Sequence, residues 1–271
     1  MKRLLSVVFA MLILLGTAGC VKSKNAAKGY PLTVEGVTLT AKPQKIAVTS
    51  KALEDVLVGL GYGGVVINAT AQYLTGVGDL TGGNAEVGVV LTNEPIFADQ
   101  IENLDNLQVP VIKVGLPKTL AEVRSYWELI GKVADGNKGG SEAAAEFDRL
   151  LQETASFTSL SKTAVLLCDR SHIAVTGLEA EALEKAGYKN AAGGVFETEI
   201  SDNELASFKP DIIFCTVGMK EALLADEKLS ELSAVKNGEI YEVDTFGIRF
   251  ASNKLFTEIQ KMNKVSIKTE Q

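Results

Sequence analysis

The feature that most constrains the fold is an alternation of short apolar segments with stretches of helical periodicity, which starts near residue 45 and runs almost to the end of the chain. Ser50 can cap a helix in which Leu53, Val56 and Leu57 recur at a spacing of about 3.6 residues. Strands that alternate with helices run parallel in sheets that are covered on both faces. The pattern therefore predicts an α/β fold with mainly parallel sheets, after a hairpin over 32–40. The predicted strands are 45–48, 65–67, 87–91, 109–114, 164–168, 211–215 and 239–243, and further helices are predicted over 178–186, 202–207, 219–225 and 252–264.

Two helical stretches divide this alternation into halves. Thr119 and Glu122 have the spacing of a capping box, and Trp127 belongs to the apolar stripe of the helix that follows, so we expect it in the core. A glycine-rich break covers 136–140, and a helix of about 19 residues, about 28 Å long, starts at Ser141. The sequence thus predicts two α/β lobes, 32–136 and 163–271, which are joined by one long helix within 137–162.

The first 19 residues have the pattern of a cleavable export signal. Lys2 and Arg3 precede an uncharged, mainly apolar run, 4–15, which is shorter than the roughly 20 residues of a spanning helix. The ending Thr17-Ala18-Gly19-Cys20 resembles the lipobox of bacterial lipoproteins, although leucine is usual where Thr17 stands. We expect Cys20 to carry acyl chains such as palmitate and to anchor the chain at the extracytoplasmic face of the cell membrane through a tether, 20–31. The alternative is an ordinary secretory signal, with Cys20 unmodified.

Charge and cysteine content exclude several classes of function. The formal net charge is −7, and removal of Lys2 and Arg3 would take it two units lower, so nucleic-acid binding is not expected. Cys168 and Cys215 each end an apolar run and read as buried strand residues. A disulfide between them is conceivable outside the cytosol but has no support in the sequence. The cysteines do not have the spacing of a zinc or iron–sulfur site.

Several stretches along the chain together resemble the ABC-transporter substrate-binding lipoproteins of the iron-siderophore, heme and cobalamin class. They include the strand entry of the second lobe, Lys209-Pro210-Asp211; the full set is 39–48, 52–61, 109–114, 199–205, 209–213 and 232–241. The resemblance implies a ligand cleft between two lobes, modest closure, and a monomer that delivers its cargo to a permease and its ATPase. It also implies a metal chelate as ligand, ferric siderophore first, with heme or cobalamin as alternatives, and no cofactor of the protein's own.

One stretch departs from the family pattern. The segment 76–90 is short and glycine-rich where the family has a helix and a strand entry resembling Lys-Pro-Asp. We therefore expect the first lobe to lack an element, which would alter its docking surface.

Two glutamates are candidates for docking to the permease. In the family a surface glutamate on each lobe meets permease arginines, and the matching positions are Glu204 in the second lobe and Glu86 in the first. Ser201 and Glu204 also have capping-box spacing, which explains both residues without docking. The two roles are compatible.

The ligand is expected at the carboxyl ends of the strands, where α/β sheets place their binding loops. Cationic groups at these ends favour an anionic ligand, because a guanidinium can bind an oxyanion with two parallel hydrogen bonds. The alternative for each is a solvated loop side chain or a local salt bridge. The candidate ligand contacts are Arg249, Arg170, His172, Tyr73 and Lys51.

The single histidine argues against a receptor for bare zinc or manganese, which needs several imidazole or carboxylate ligands at one site. The sequence does not have the pattern of an enzyme, and we expect none. Two alternatives remain open: a degenerate relative that acts as a sensor or interaction lipoprotein, and a surface-attached hydrolase that uses His172.

Overall fold

The computed structural model describes residues 29–68, 87–95, 98–106, 108–154, 157, 161–193 and 199–269. The chain opens with an antiparallel hairpin of β1 (Leu32–Val34) and β2 (Val37–Leu39), as the sequence predicts. The N-terminal lobe that follows is built on a parallel sheet with the strand order β4-β3-β5-β6. Its elements are β3 (Lys45–Val48), α1 (Lys51–Gly59), a 3₁₀ turn (Gly63–Val65), β4 (Val66–Asn68), β5 (Val87–Thr92), α2 (Ala98–Asn106) and β6 (Val111–Lys113).

The C-terminal lobe has a second parallel sheet, with the order β10-β9-β7-β8. Its strands are β7 (Thr163–Leu167), β8 (Lys189–Asn190), β9 (Ile212–Thr216) and β10 (Ile240–Val243). Its helices are α4 (Gly177–Lys185), α5 (Asp202–Phe208), α6 (Lys220–Leu224), α7 (Ser233–Lys236), α8 (Thr245–Arg249) and α9 (Leu255–Thr269), with a 3₁₀ turn at Glu227–Leu229. The fold class predicted from the alternation is confirmed: two α/β lobes with parallel sheets.

A long helical segment, α3 (Leu120–Thr154), joins the lobes and turns back on itself at Asp135 and Gly136. Gly136 has φ 64° and ψ −157°, a conformation that is almost confined to glycine. Arg124 Nε donates to Asp148 Oδ1 at 2.8 Å, whereas a straight helix would separate these residues by about 36 Å. The two arms, 120–134 and 137–154, therefore lie side by side. The break is two residues long and earlier than predicted, because helix resumes directly after Gly136 instead of at Ser141.

One large core cluster runs through both lobes. It includes Ile46 and Leu53 of the N-terminal lobe, Phe147 of α3, and Phe214 and Phe256 of the C-terminal lobe, each at most 1% exposed. Trp127 is 2% exposed and lies edge-on to Phe147 and Phe256, as its place in the apolar stripe predicts. A smaller cluster covers the other face of the C-terminal sheet. Because Cys168, which directly follows β7, packs against the large cluster and Cys215 of β9 lies in the smaller one, the two thiols lie on opposite faces of the sheet, and both are free.

Several elements differ from the sequence prediction. The sequence analysis missed α2, α7, α8 and β8, and the helix predicted over 252–264 is α9, which begins at Leu255 and runs to Thr269. The capping box predicted at Thr119 is half formed: Glu122 N donates to Thr119 Oγ1, but the Glu122 carboxylate accepts from Lys118 N. Among the residues that the structure describes, the N-terminal sheet has four strands, as many as the C-terminal sheet. The glycine-rich segment on which the prediction of a missing element rests is mostly outside the described residues.

Candidate ligand-binding cleft

The carboxyl edges of the two sheets meet across the junction between the lobes. Lys118, in the segment after β6, has its carbonyl oxygen 3.7 Å from a Cβ built on Gly177, which begins α4 after β7. Leu120 N, at the start of α3, donates to Glu181 Oε2 on α4 at 2.6 Å. On the other side, the Asn253 side chain packs directly against Gly59, at the end of α1. The segment after β6 thus meets the helix that follows β7, at the edges where a ligand cleft is expected, whereas the Gly59 contact joins the lobes at the far end of α1.

Arg249 is the cation best placed at this edge. It is the last residue of α8, and its Nε donates to Glu179 Oε1 of α4 at 2.7 Å. The guanidinium also contacts the thiol of Cys168, which directly follows β7. The hydrogen bond from Arg249 to Glu179 raises the pKa of the guanidinium, so the group stays charged. Glu179 was missed by the sequence analysis, because an acidic residue in the first turn of a helix is common for electrostatic reasons alone.

His172 is held by its own loop. Its Nδ1 lies 2.8 Å from Asp169 Oδ1 and 3.3 Å from Ser171 Oγ. Burial would raise the pKa of the Asp169 carboxyl, but hydrogen bonds from the His172 ring and from the Ser171 and His172 amides together hold it below its usual range. In a hydrolase relay the serine and the carboxylate lie on different ring nitrogens. Here both meet Nδ1, so this cluster does not have the geometry of a catalytic triad.

Arg170 lies near the start of α5 and pairs with carboxylates there, not with those that bind Arg249 and His172. Its Nη2 donates to Asp202 Oδ1 at 2.9 Å and also pairs with Asp226. Lys228 Nζ meets Asp202 Oδ2 at 3.3 Å, and these groups line a cavity of about 320 Å³. The structure therefore places Arg170 beside the helix that carries Glu204.

Lys51 is the first residue of α1, directly after β3 in the N-terminal lobe. It forms ion pairs with Asp55 and, at 3.6 Å, with Glu54. These pairs raise the pKa of its ammonium, the hydrogen bond to Asp55 most of all. Lys51 is thus another cation of the cleft edge whose charge is already matched by a carboxylate. Three predicted functional residues, Tyr73, Glu86 and Cys20, lie outside the described residues.

Apolar side chains are exposed where β9 and β10 end. Val217 is 67% exposed and Phe246 is 46% exposed, and the Phe246 and Phe250 rings are in contact, with centroids 4.4 Å apart and a tilt of 41°. The hydroxyl of Thr245 donates to that of Thr216 at 2.9 Å, which fastens the two strand ends side by side. The C-terminal edge of the cleft therefore offers an aromatic surface next to Arg249. The prediction of an anionic ligand from the sequence rests on the cationic side chains alone and does not include these aromatic rings.

Glu204 lies on the exposed surface at the start of α5. Its Oε2 accepts from Ser201 N and from Ser201 Oγ, each at 2.7 Å, and its own amide donates to Ser201 Oγ. The capping box predicted from the spacing is thus formed. The docking role of Glu204 stays a prediction.

Within the described ranges, no three or more histidine, cysteine, aspartate or glutamate side chains are grouped so that they could hold a metal ion. Among those same residues, no helix is both long and apolar enough to cross a membrane.

The fold is that of the two-lobed periplasmic binding proteins, in which two α/β lobes are connected by a long helix. No family model matches the sequence, and no curated protein matches it either.

Solved structures of this kind match nearly their whole length. The periplasmic heme-binding protein RhuT from Roseiflexus sp. RS-1 is 15% identical, with a TM-score of 0.70, over 84% of this chain and 100% of that one. The periplasmic heme-binding protein HutB of Vibrio cholerae is 13% identical, with a TM-score of 0.69, over 82% and 98%. A possible iron-binding periplasmic protein from Staphylococcus epidermidis is 16% identical, with a TM-score of 0.66, over 83% and 99%. At these identities the match establishes a common fold.

Proposed function

We propose that this chain is the extracytoplasmic solute-binding component of an ABC importer and that it captures a metal chelate. The observation that carries the proposal is the junction of the two carboxyl edges, where exposed apolar side chains lie next to a guanidinium whose direction is set by an ion pair. A site for a small organic ligand combines apolar walls with a few fixed polar groups in this way. Proteins of the same fold include heme-binding and iron-binding proteins.

The charges at the cleft edge narrow the ligand class. Arg249, His172 and Lys51 each pair with a carboxylate, so the edge has little excess positive charge to attract a strongly anionic ligand. Ferric siderophore remains the first candidate, and the pairing favours those of low net charge, such as hydroxamate complexes. Heme and cobalamin are the alternatives, since each would place a large ring against Phe246 and Phe250.

The chain is proposed to work as a lipid-anchored monomer. Removal of 1–19 would leave Cys20 as the acylated first residue, with 20–31 as tether ahead of the two lobes, 32–136 and 163–271, and their connection, 137–162. Glu204 and Glu86 are the proposed contacts to the permease, and ATP hydrolysis would belong to its partner subunit. A Cys20→Ser chain recovered from the soluble fraction instead of the membrane would support the anchor.

The first test is calorimetric titration of the full chain in detergent with hemin, cobalamin and a neutral ferric hydroxamate. Binding of one of them with a Kd in the micromolar range or below is expected. Failure of the whole panel would refute the chelate class. Binding without stimulation of the permease–ATPase in proteoliposomes would instead favour the sensor alternative.

Arg249→Ala should weaken binding of the ligand so identified about tenfold, the effect of losing about 1.4 kcal/mol. The matched control is Arg149→Ala, which removes an exposed arginine that pairs with Glu146 and Glu153 along the second arm of α3. Equal losses in the two variants, or no loss in either, would remove Arg249 from the site.

A further inference from the structure

Three side chains from three different elements meet at the C-terminal edge of the cleft. Arg249 closes α8, Glu179 lies in the first turn of α4, and Cys168 follows β7. The Arg249–Glu179 pair joins Nε to Oε1 at 2.7 Å, and the guanidinium also contacts the thiol. The side chain of Glu179 is 17% exposed, whereas that of Arg249 is 47% exposed. The carboxylate is therefore the inner, fixed partner, and the guanidinium is the outer group that a ligand can reach.

Such a pair has two physical consequences for ligand binding. A bonded guanidinium loses less conformational freedom when it meets a ligand, because its direction is already set. Its charge is at the same time compensated by the carboxylate, so the attraction to an anion falls while hydrogen bonds to neutral acceptors remain possible. The surroundings agree with the second point, since the same helix presents Phe246 and the next residue is Phe250.

We propose that Glu179 is a positioning residue that orients Arg249 toward the cleft and sets the charge preference of the site, so that ligands of low net charge are favoured over strongly anionic ones. The inference rests on the proposed function, because it takes Arg249 as a ligand contact. It adds Glu179 to the residues of the proposed site, and it adds a preference for ligands of low net charge.

A direct test compares hemin with hemin dimethyl ester, which has the same ring without the two propionate charges. In the full-length chain, Glu179→Gln should raise the ratio of the affinity for hemin to that for the ester about fivefold, or about 1 kcal/mol. Glu184→Gln, which neutralises an exposed carboxylate on the same helix, should leave the ratio at its wild-type value. An unchanged ratio in Glu179→Gln overturns this preference for ligands of low net charge.

A second readout needs no ligand. The pKa of the Cys168 thiol is raised to about 11. Burial is the largest cause and the Glu179 carboxylate is the second, whereas Arg249 acts in the opposite direction. Glu179→Gln should therefore speed alkylation of Cys168 by iodoacetamide at pH 8, and Arg249→Gln should slow it, as followed by peptide mass spectrometry. Cys215 is 0% exposed and serves as the internal control, because its modification would report unfolding.

The two readouts separate the inference from the proposed function. If the wild-type chain binds neither porphyrin, the heme arm of the proposed function fails, and the alkylation rates decide the positioning role. If Glu179 positions the guanidinium, Arg249→Gln should slow Cys168 alkylation in the wild-type background and much less in the Glu179→Gln background, with Cys215 protected in both. An equal slowing in the two backgrounds would overturn that role.

Discussion

At the start of α5, one carboxylate is suited to two roles. Glu204 caps the helix through Oε2, and its side chain remains on the exposed surface. Hydrogen bonds from the Ser201 amide and then from the Ser201 hydroxyl hold the pKa of Glu204 below its usual range. The folded state therefore binds the proton of this carboxyl more weakly than the unfolded chain does. The stabilisation is present at neutral pH and is lost as the pH falls through the lowered pKa.

Two substitutions separate capping from docking. Glu204→Gln keeps an oxygen that can accept the capping bonds but removes the charge, so we expect a smaller loss of stability than in Glu204→Ala and about tenfold weaker coupling to the permease. Glu204→Ala should lose both. Urea unfolding and stimulation of permease–ATPase activity in proteoliposomes measure the two effects, with Glu221→Gln on α6 as the control for surface charge.

The pH dependence gives an independent check on the cap. The stability difference between wild type and Glu204→Ala should be full at pH 7, should begin to shrink near the ordinary glutamate pKa of about 4.3, and should be smallest once the pH lies below the lowered pKa of Glu204. A difference that persists at low pH would mean that the carboxylate does not supply the stabilisation.

At the scale of elements, the turn within α3 determines how the lobes are joined. The two arms cross where Gly131 faces Gly139, and a Cβ built on either glycine would lie well inside 3.0 Å of the other's carbonyl oxygen. The hairpin of β1 and β2 is attached to the same turn: Tyr30 Oη donates to Val133 O at 3.2 Å, and Lys42 pairs with Asp135. Close backbone contact at the crossing is thus a requirement of the fold.

Gly139→Ala should destabilise the protein by about 2–3 kcal/mol, because the arms must separate to admit the methyl group. Gly115→Ala is the matched control, since a Cβ there meets nothing within 4 Å. Chemical denaturation measures both. A similar, small change in the two variants would show that the arms are not in close contact.

At the scale of the whole molecule, the lobes share one core and are bonded across it. Trp127 Nε1, on the first arm of α3, donates to Ala251 O beyond α8 at 2.9 Å, and both groups are buried. A shared core resists wide separation of the lobes, in agreement with the modest closure that the family resemblance implies. It also ties the unfolding of one lobe to that of the other.

We therefore expect a single cooperative transition in calorimetry, and a loss of about 1–3 kcal/mol for Trp127→Phe, which leaves the Ala251 carbonyl without its donor. Tyr188→Phe is the matched control. It also removes a buried hydrogen bond to a carbonyl oxygen, that of Met262, but this bond lies within the C-terminal lobe. Two separate transitions in the wild-type chain would contradict the shared core.

Much of the fold follows from local patterns in the sequence. Strand and helix periodicity predicted two α/β lobes, the spacing of Ser201 and Glu204 predicted the capping box, and the apolar stripe placed Trp127 in the core. These features depend on residues a few positions apart, and the sequence alone contains that information. The export signal and Cys20 are equally local, and they stay predictions.

The tertiary structure decided which partners the candidate side chains have. Arg249 pairs with a glutamate 70 positions away, Arg170 pairs with aspartates 32 and 56 positions away, and the two strand cysteines lie on opposite faces of one sheet. The turn at Gly136, which returns the second arm of α3 along the first, also depends on how the backbones of the two arms pack, as at Gly131 and Gly139. Such contacts depend on how helices and strands pack, and no spacing in the sequence specifies them. For this reason the sequence alone suggested a cationic cleft, whereas in the folded protein Arg249, Arg170, His172 and Lys51 each pair with a carboxylate.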